Sequence, residues 1–221
     1  MAEPSYASIL SGGQSIRLVR TILTWPSVGT WVADVQADKP YTVDTSPFGV
    51  RLTFGRVSLV GTVYRQRSIQ GSLSMRIVGG AGGWGRAVAG KQYASAAGLR
   101  RSLVASQLAA SVGERVEVPQ DAVVGTLWCQ LAGKASAALS ALWPTWYVDA
   151  SGSTRLADRA KTVLGTAYEI TALKAAAGRY TVYAADPSVF TPDVDMLSPQ
   201  LDIQSVIHRI EASHTVEILA T

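Results

Sequence analysis

The chain has 221 residues, 48% of them hydrophobic, with 20 lysines and arginines against 16 aspartates and glutamates. This length suits one large or two small domains with a buried core, and no apolar run approaches the roughly 18 residues of a membrane-spanning helix. The single cysteine, Cys129, excludes an intrachain disulfide, an all-cysteine zinc site and a self-contained iron–sulfur cluster, and two histidines, His208 and His214, are too few for an ordinary histidine metal centre. The start Met-Ala-Glu-Pro-Ser lacks a basic region followed by an apolar one, so synthesis in the cytosol and a soluble product are expected.

Residues 1–15 are small and polar and read as an arm or as a segment mobile until docked. Alternating apolar and polar positions predict a first strand over Ile16–Leu23, a turn over Trp25–Gly29 and extended chain over Trp31–Val35. Val50–Phe54, a tight turn at Gly55-Arg56, Val57–Tyr64 and Gly71–Val78 follow at hairpin spacing, as in a small antiparallel sheet or barrel. Ser95 is placed to cap a helix over Ala96–Val112, with Leu99, Leu103, Val104, Leu108 and Val112 as its core stripe and Gly113 as its stop. Leu131, Ala135, Ala138, Leu139 and Leu142 share one face of a second helix that Pro144 ends. Thr145–Asp149 and Thr154–Asp158 flank a hairpin turn, and strands are predicted near Tyr168–Leu173, Tyr180–Ala184, Ser205–Glu211 and Thr215–Leu219. The stretch with Pro187, Pro192 and Pro199 reads as an exposed, irregular loop. The expected class is α+β, mainly β: two antiparallel β-barrel-like units, 1–92 and 146–221, with a two-helix insertion at 93–145.

Gly80-Ala-Gly-Gly-Trp-Gly85 fits a dinucleotide-binding string, and Gly85 to Lys91 nearly fits a phosphate loop. The strand before it alternates where a dinucleotide fold needs a continuous apolar run. No acid stands between Asp44 and Glu114, and Gln92 replaces the magnesium-holding Ser or Thr after Lys91. The glycines read instead as a turn that lets sheet and helix approach, with Trp84 filling the gap. No cofactor is expected.

Residues 1–135 carry 14 basic and 7 acidic side chains, and residues 136–221 carry 6 and 9. The acid-free stretch holds Arg51, Arg56, Arg65, Arg67, Arg76, Arg86, Lys91, Arg100 and Arg101, spread over strands, which suits either a nucleic-acid face or an acidic neighbouring subunit, the latter preferred. No catalytic constellation emerges. The histidines lie in terminal strands, where surface or interface positions are expected, without a nucleophile elbow. Asp193 with Asp195 has no calcium-loop spacing, and Asp149 with Asp158 brackets a hairpin. Cys129 reads as a small buried hydrophobe. Six tryptophans adjoin element ends, where large rings close a core or an interface.

Trp25-Pro-Ser-Val-Gly-Thr-Trp-Val-Ala-Asp34, Val50–Val63, Arg76–Trp84, the helix ending Ala-Ser-Val-Gly-Glu114, Trp128 through Leu156 and Val206-Ile-His-Arg-Ile210 together resemble the tail hub (baseplate hub) family of bacteriophages and prophages. The resemblance implies a non-enzymatic virion protein, made in the bacterial host's cytoplasm, in a tail-tip ring that joins the tail tube to a central fibre or spike and lines part of the DNA ejection channel. Implied partners are further copies of itself in a homotrimer, the tail tube or distal tail protein, the fibre, spike or another hub protein, the tape measure protein, and passing DNA bound without sequence specificity, with no membrane insertion. Interface candidates are Arg65, Arg67, Arg86, Trp84 and His208. A hexameric distal-tail or tube-like ring, and a nucleic-acid-binding module, are the alternatives. The chain is short for a hub, which implies that peripheral domains of some relatives are missing.

Overall fold

The computed structural model describes residues 6–118, 121–174, 178–197 and 200–220. Six strands, β1 (Ser8–Ser11), β2 (Gln14–Pro26), β3 (Val32–Ala37), β4 (Val50–Phe54), β5 (Val57–Ile69) and β6 (Ser72–Gly79), pair in the order β1-β4-β5-β6-β3-β2. Pairing of β2 back onto β1 closes the barrel and leaves it no edge. The period-two pattern explains the inward sets Ile16 and Leu18, Leu52 and Phe54, and Leu73, Met75 and Ile77, all buried, while a register shift between Leu18 and Arg20 changes the phase of β2 so that Leu23 and Trp25 turn inward beyond it. β1 corrects the expectation of an N-terminal arm. Ser8–Ser11 pairs with Arg17–Gln14 on one side and Thr53–Val50 on the other, with Ile9 fully buried. Four residues are too few for periodicity to show, and the strand is defined by a tight hairpin to β2 across Gly12-Gly13, both at positive φ, and by the long-range pairing with β4.

Between the β units come β7 (Lys91–Arg100), α1 (Arg101–Val112), β8 (Val123–Gln130), α2 (Ala135–Leu142) and the hairpin β9 (Trp146–Val148) with β10 (Thr154–Leu156). Both helices were expected, but α1 starts five residues late. Ser95 lies in β7, which pairs with β8, and caps nothing; Arg100 holds the N-cap position without a side-chain bond. Gly98, at φ 94°, would cost helix stability, and tertiary pairing overrides the helix preference of the alanines around it. Leu103 is 48% and Leu131 81% exposed, so neither belongs to its expected stripe, while Val104, Leu108, Val112, Leu139 and Leu142 do. The stop signals act as expected. Gly113 has φ 79° and its N–H bonds to the Ala109 and Ala110 carbonyls, while Trp143, ahead of Pro144, is extended at φ −144°.

The second unit contains β11 (Tyr168–Lys174), β12 (Arg179–Ala184), β13 (Ile203–Ile210) and β14 (His214–Ala220). They continue the barrel's own sheet in the order β2-β13-β14-β12-β11, because β2, 13 residues long, pairs with β1 only at Gln14–Arg17 and reaches past it to pair Thr21–Pro26 with Ile210–Ser205. Its core is Val182, Phe190, Met196, Val206, Val216 and Ile218. The proline stretch is less open than composition suggested. A 3-10 turn at Pro187–Val189, capped by Asp186, buries Phe190, and Val194–Leu197 runs parallel to Thr162–Val163 with Met196 buried. The apolar residues between the prolines have the second core to fill; Pro199 lies outside the described residues. The β9–β10 hairpin is tied to the barrel where Gly29 N–H donates to the Trp146 carbonyl at 2.7 Å and Val148 N–H to the Gly29 carbonyl at 3.1 Å.

Candidate functional site

The glycine turn holds an anion, and the anion is the chain's own. Gly80 and Gly82 sit at φ 72° and 77°, which favour glycine, and turn the backbone N–H groups inward. Glu114, just past α1, accepts from Ala81 N–H at 3.0 Å and from Gly83 N–H at 2.6 Å, with Trp84 N–H also bonding to it. A side chain at position 83 would strike the Val112 carbonyl, so glycine there sets the approach of turn to helix. Burial pushes the Glu114 carboxyl up from its ordinary range, and the three N–H groups and Arg86 partly offset that. Concave arrays of N–H groups commonly take phosphate; here a carboxylate fills the concavity. Lys91 does not face the turn, since its Nζ donates to Gln107 Oε1 at 2.9 Å and lies over the Tyr93 ring. Sequence reasoning missed Glu114, although it is the first acid after the long acid-free stretch.

Trp84 is 2% exposed. Its Nε1 donates to Thr154 Oγ1 at 2.8 Å and its ring lies 5.5 Å from that of Trp146, joining barrel, helices and hairpin.

The two histidines form a pair in which His208 is fully buried and His214 half-buried, where surface or interface positions are expected for strand histidines. His208 Nε2 lies 2.8 Å from the Phe190 carbonyl, which only accepts, so the proton is on Nε2; Nδ1 then accepts from His214 Nε2–H at 3.0 Å. Phe54 of the barrel packs against both rings, at 5.0 and 5.8 Å. Burial, then the neighbouring imidazole, pushes His208 down to about 3; burial pushes His214 down to about 4 against the pull of Asp186. Both folded values lie below the ordinary value near 6.5, so the unfolded chain protonates first and stability falls as pH drops below that value. Unfolding in urea is expected to lose roughly 2–3 kcal/mol between pH 6.5 and 4.5, before most paired carboxylates titrate, and the loss should shrink in His208→Gln. Glu114, whose carboxyl is raised, acts in the opposite direction over the lower part of that range. An unchanged stability across the window would contradict the buried neutral pair.

The carboxylate pairs do not come together as catalytic dyads. Asp149 accepts from Ser151 and Ser153 N–H in its turn and from Arg155 Nε at 2.6 Å, which keeps its carboxyl low despite burial. Asp193 pairs with Arg159 at 2.7 Å, and the same guanidinium donates to the Ser27 carbonyl and stacks 3.9 Å from the Tyr147 ring centre. Cys129 is exposed, contrary to expectation, because it points from the outer face of β8. Among the described residues no group of three or more His, Cys, Asp or Glu is placed to hold a metal, and no helix is long and apolar enough to cross a membrane.

Much of the arginine-rich stretch is neutralised inside the chain: Arg56 pairs with Asp186, Arg76 with Asp34 in a two-pronged bond, and Arg100 with Asp121. Of the five interface candidates, Arg65 and Arg67 are exposed on the outer half of β5 and Arg86 is exposed beside the glycine turn. Trp84 and His208 are enclosed by the chain's own packing.

No family model matches the sequence, and no curated protein does. Solved structures do match. The 43 kDa tail protein of prophage MuSo2 from Shewanella oneidensis superposes with a TM-score of 0.66 at 10% identity, over 98% of this chain and 96% of its own. A tail protein from Neisseria meningitidis gives 0.66 at 12% identity, over 99% and 97%. An Escherichia coli component of the type VI secretion system, described as structurally similar to the T4 phage tail proteins gp27 and gp5, gives 0.67 at 10% identity, over 97% and 76%. The fold is that of phage tail proteins. Within that class the likeness extends to a protein compared with gp27 and gp5, in line with the resemblance to the tail hub family read from the sequence.

Proposed function

We propose that this chain is a non-enzymatic structural subunit of a phage tail-tip or baseplate hub ring. In this reading it assembles as a homotrimer, joins the tail tube or distal tail protein to the central fibre or spike, and forms part of the channel through which DNA leaves. The tape measure protein would end against the same ring. The observation that carries the reading is a fold shared along almost the whole chain with tail proteins. The barrel, closed on itself, supports a rigid ring element, and the sheet that continues out of it supplies a second β unit in the same subunit. In this reading the chain divides as 1–92, 93–145 and 146–221, with β7 crossing the first boundary and the β9–β10 hairpin at the start of the last part bonded to the barrel.

Light scattering at low and moderate salt tests this. The expected mass is three times 23.4 kDa, little changed by salt. Six copies would favour a distal-tail or tube-like ring. A monomer that retains DNA at moderate salt would overturn the ring reading in favour of a nucleic-acid module.

A further inference from the structure

The barrel is closed, yet one of its strands outruns a neighbour. β4 pairs with β5 only from Phe54↔Val57 to Val50↔Gly61, while on the other side β5 stays paired with β6 as far as Ile69↔Ser72. Past Gly61 no described strand lies along the first side of β5, and among the described residues the backbone bonds of residues 64–69 run only to β6. All of residues 64–69 are exposed, Tyr64 by 61%. Alternate N–H and C=O groups of such a strand point away from its partner strand, and here they meet no other strand of the chain.

The side chains on this overhang select by charge. A register shift between Val63 and Arg65 leaves Tyr64 as a bulge and puts Arg65 opposite Arg76 and Arg67 opposite Ser74. Arg76 already holds Asp34 by both prongs, and Arg65 only adds to the pull on that carboxylate. Neither Arg65 nor Arg67 has a salt bridge or side-chain hydrogen bond among the described residues. A bulge and charged side chains close an open strand side to indiscriminate pairing. Two copies joined antiparallel about this stretch would set arginines against arginines, and like charges directly opposite are unfavourable. A strand with acids two residues apart would instead meet both guanidiniums on one face, because side chains on one face recur at every second residue. No described strand of this chain carries two acids, so another copy does not supply such a strand.

We propose that residues 64–69 of β5 accept an extended acidic segment of another protein as an added strand, with carboxylates at alternate positions meeting Arg65 and Arg67. That this protein is a further tail component rests on the hub reading above. Backbone hydrogen bonds supply the affinity, and the arginines set the choice of partner and its register. A nucleic acid could use the guanidiniums but not the free backbone. Two unpaired arginines give it a logarithmic salt slope of only about −2, far short of firm retention of DNA.

The probe is a fluorescein-labelled peptide of about eight residues that alternates Glu and Thr, long enough to span the overhang, and its anisotropy is followed on addition of the full chain. Binding is expected below about 1 mM. Arg65→Ser with Arg67→Ser changes two exposed side chains, so circular dichroism should be retained while the probe binds about tenfold more weakly. A peptide of the same composition with its acids in one block, and the alternating peptide methylated on every backbone nitrogen, should each bind about tenfold more weakly than the probe. Lys91→Ala, at an exposed side chain bonded to Gln107, should change nothing. No binding of the probe, or equal binding of the methylated peptide, overturns the added strand. Tighter binding of oligothymidylate, lost in the same arginine variant, overturns the protein partner in favour of nucleic acid. Light scattering separates this from the ring, because the arginine variant should keep the wild-type mass. A variant that falls to monomers makes the overhang a contact between copies, which overturns this proposal and leaves the ring reading standing. A monomeric wild type that still binds the probe through Arg65 and Arg67 supports the acceptor strand and overturns the ring reading alone.

Discussion

Glu114→Ala is expected to destabilise the fold by about 3–5 kcal/mol, measured as the shift in urea unfolding free energy at neutral pH. The side chain is 7% exposed and accepts from Ala81 and Gly83 N–H. Removing it strands those buried donors and leaves the turn without the group it is wrapped around. Each orphaned N–H costs about 1–3 kcal/mol. The charged acceptor had itself carried a burial cost, as its raised pKa shows, and that offsets part of the loss. Glu114→Gln retains the shape and one acceptor oxygen, so it should cost about half as much. A cost below about 1 kcal/mol for the alanine variant would show that the turn holds its shape without the carboxylate.

Trp84→Ala is the second large effect, about 3–5 kcal/mol, as for other buried aromatic truncations. The ring fills the junction between the glycine turn, the helices and the hairpin, and its loss also orphans buried Thr154, which is fully enclosed. Lys91→Ala, a change at an exposed side chain bonded to Gln107, should cost within about 0.5 kcal/mol. Soluble yield and ring formation should follow the same order. Equal losses in both variants, accompanied by loss of stabilisation by a nucleotide, would reinstate the phosphate-loop reading.

Legibility followed the range of the interactions that make each element. The inward sets of β2 through β6 and the last four strands could be read because one buried face imposes a period of two on the local sequence. β7 and β8 could not: Ala94-Ser-Ala-Ala-Gly-Leu99 carries helix-forming alanines, and its extended form depends on Val123–Gln130, some thirty residues on. The i, i+4 spacing of Leu131 with Ala135 imitates a helical stripe across the end of a strand. Rejection of the glycine strings as a nucleotide site needed only local sequence, whereas the carboxylate that occupies the turn comes from 31 to 33 positions away. His208 was legible and overlooked. It shares its phase in β13 with Val206 and Ile210, both buried, so alternation alone places it inside.

The fold explains why the ring reading is favoured over a site of chemistry. The turn that imitates a phosphate loop is satisfied by Glu114, the histidines satisfy each other and Phe190, and Asp149 and Asp193 are held by arginines. Arg65 and Arg67 remain exposed on the outer half of β5 without an ion pair among the described residues. They are therefore available to a neighbour.

The most direct test is negative-stain imaging of the purified chain at the concentration where light scattering shows its largest species. Closed rings of three subunits around a central opening are the predicted result. Open, irregular chains, or single particles at every concentration, would contradict a ring subunit.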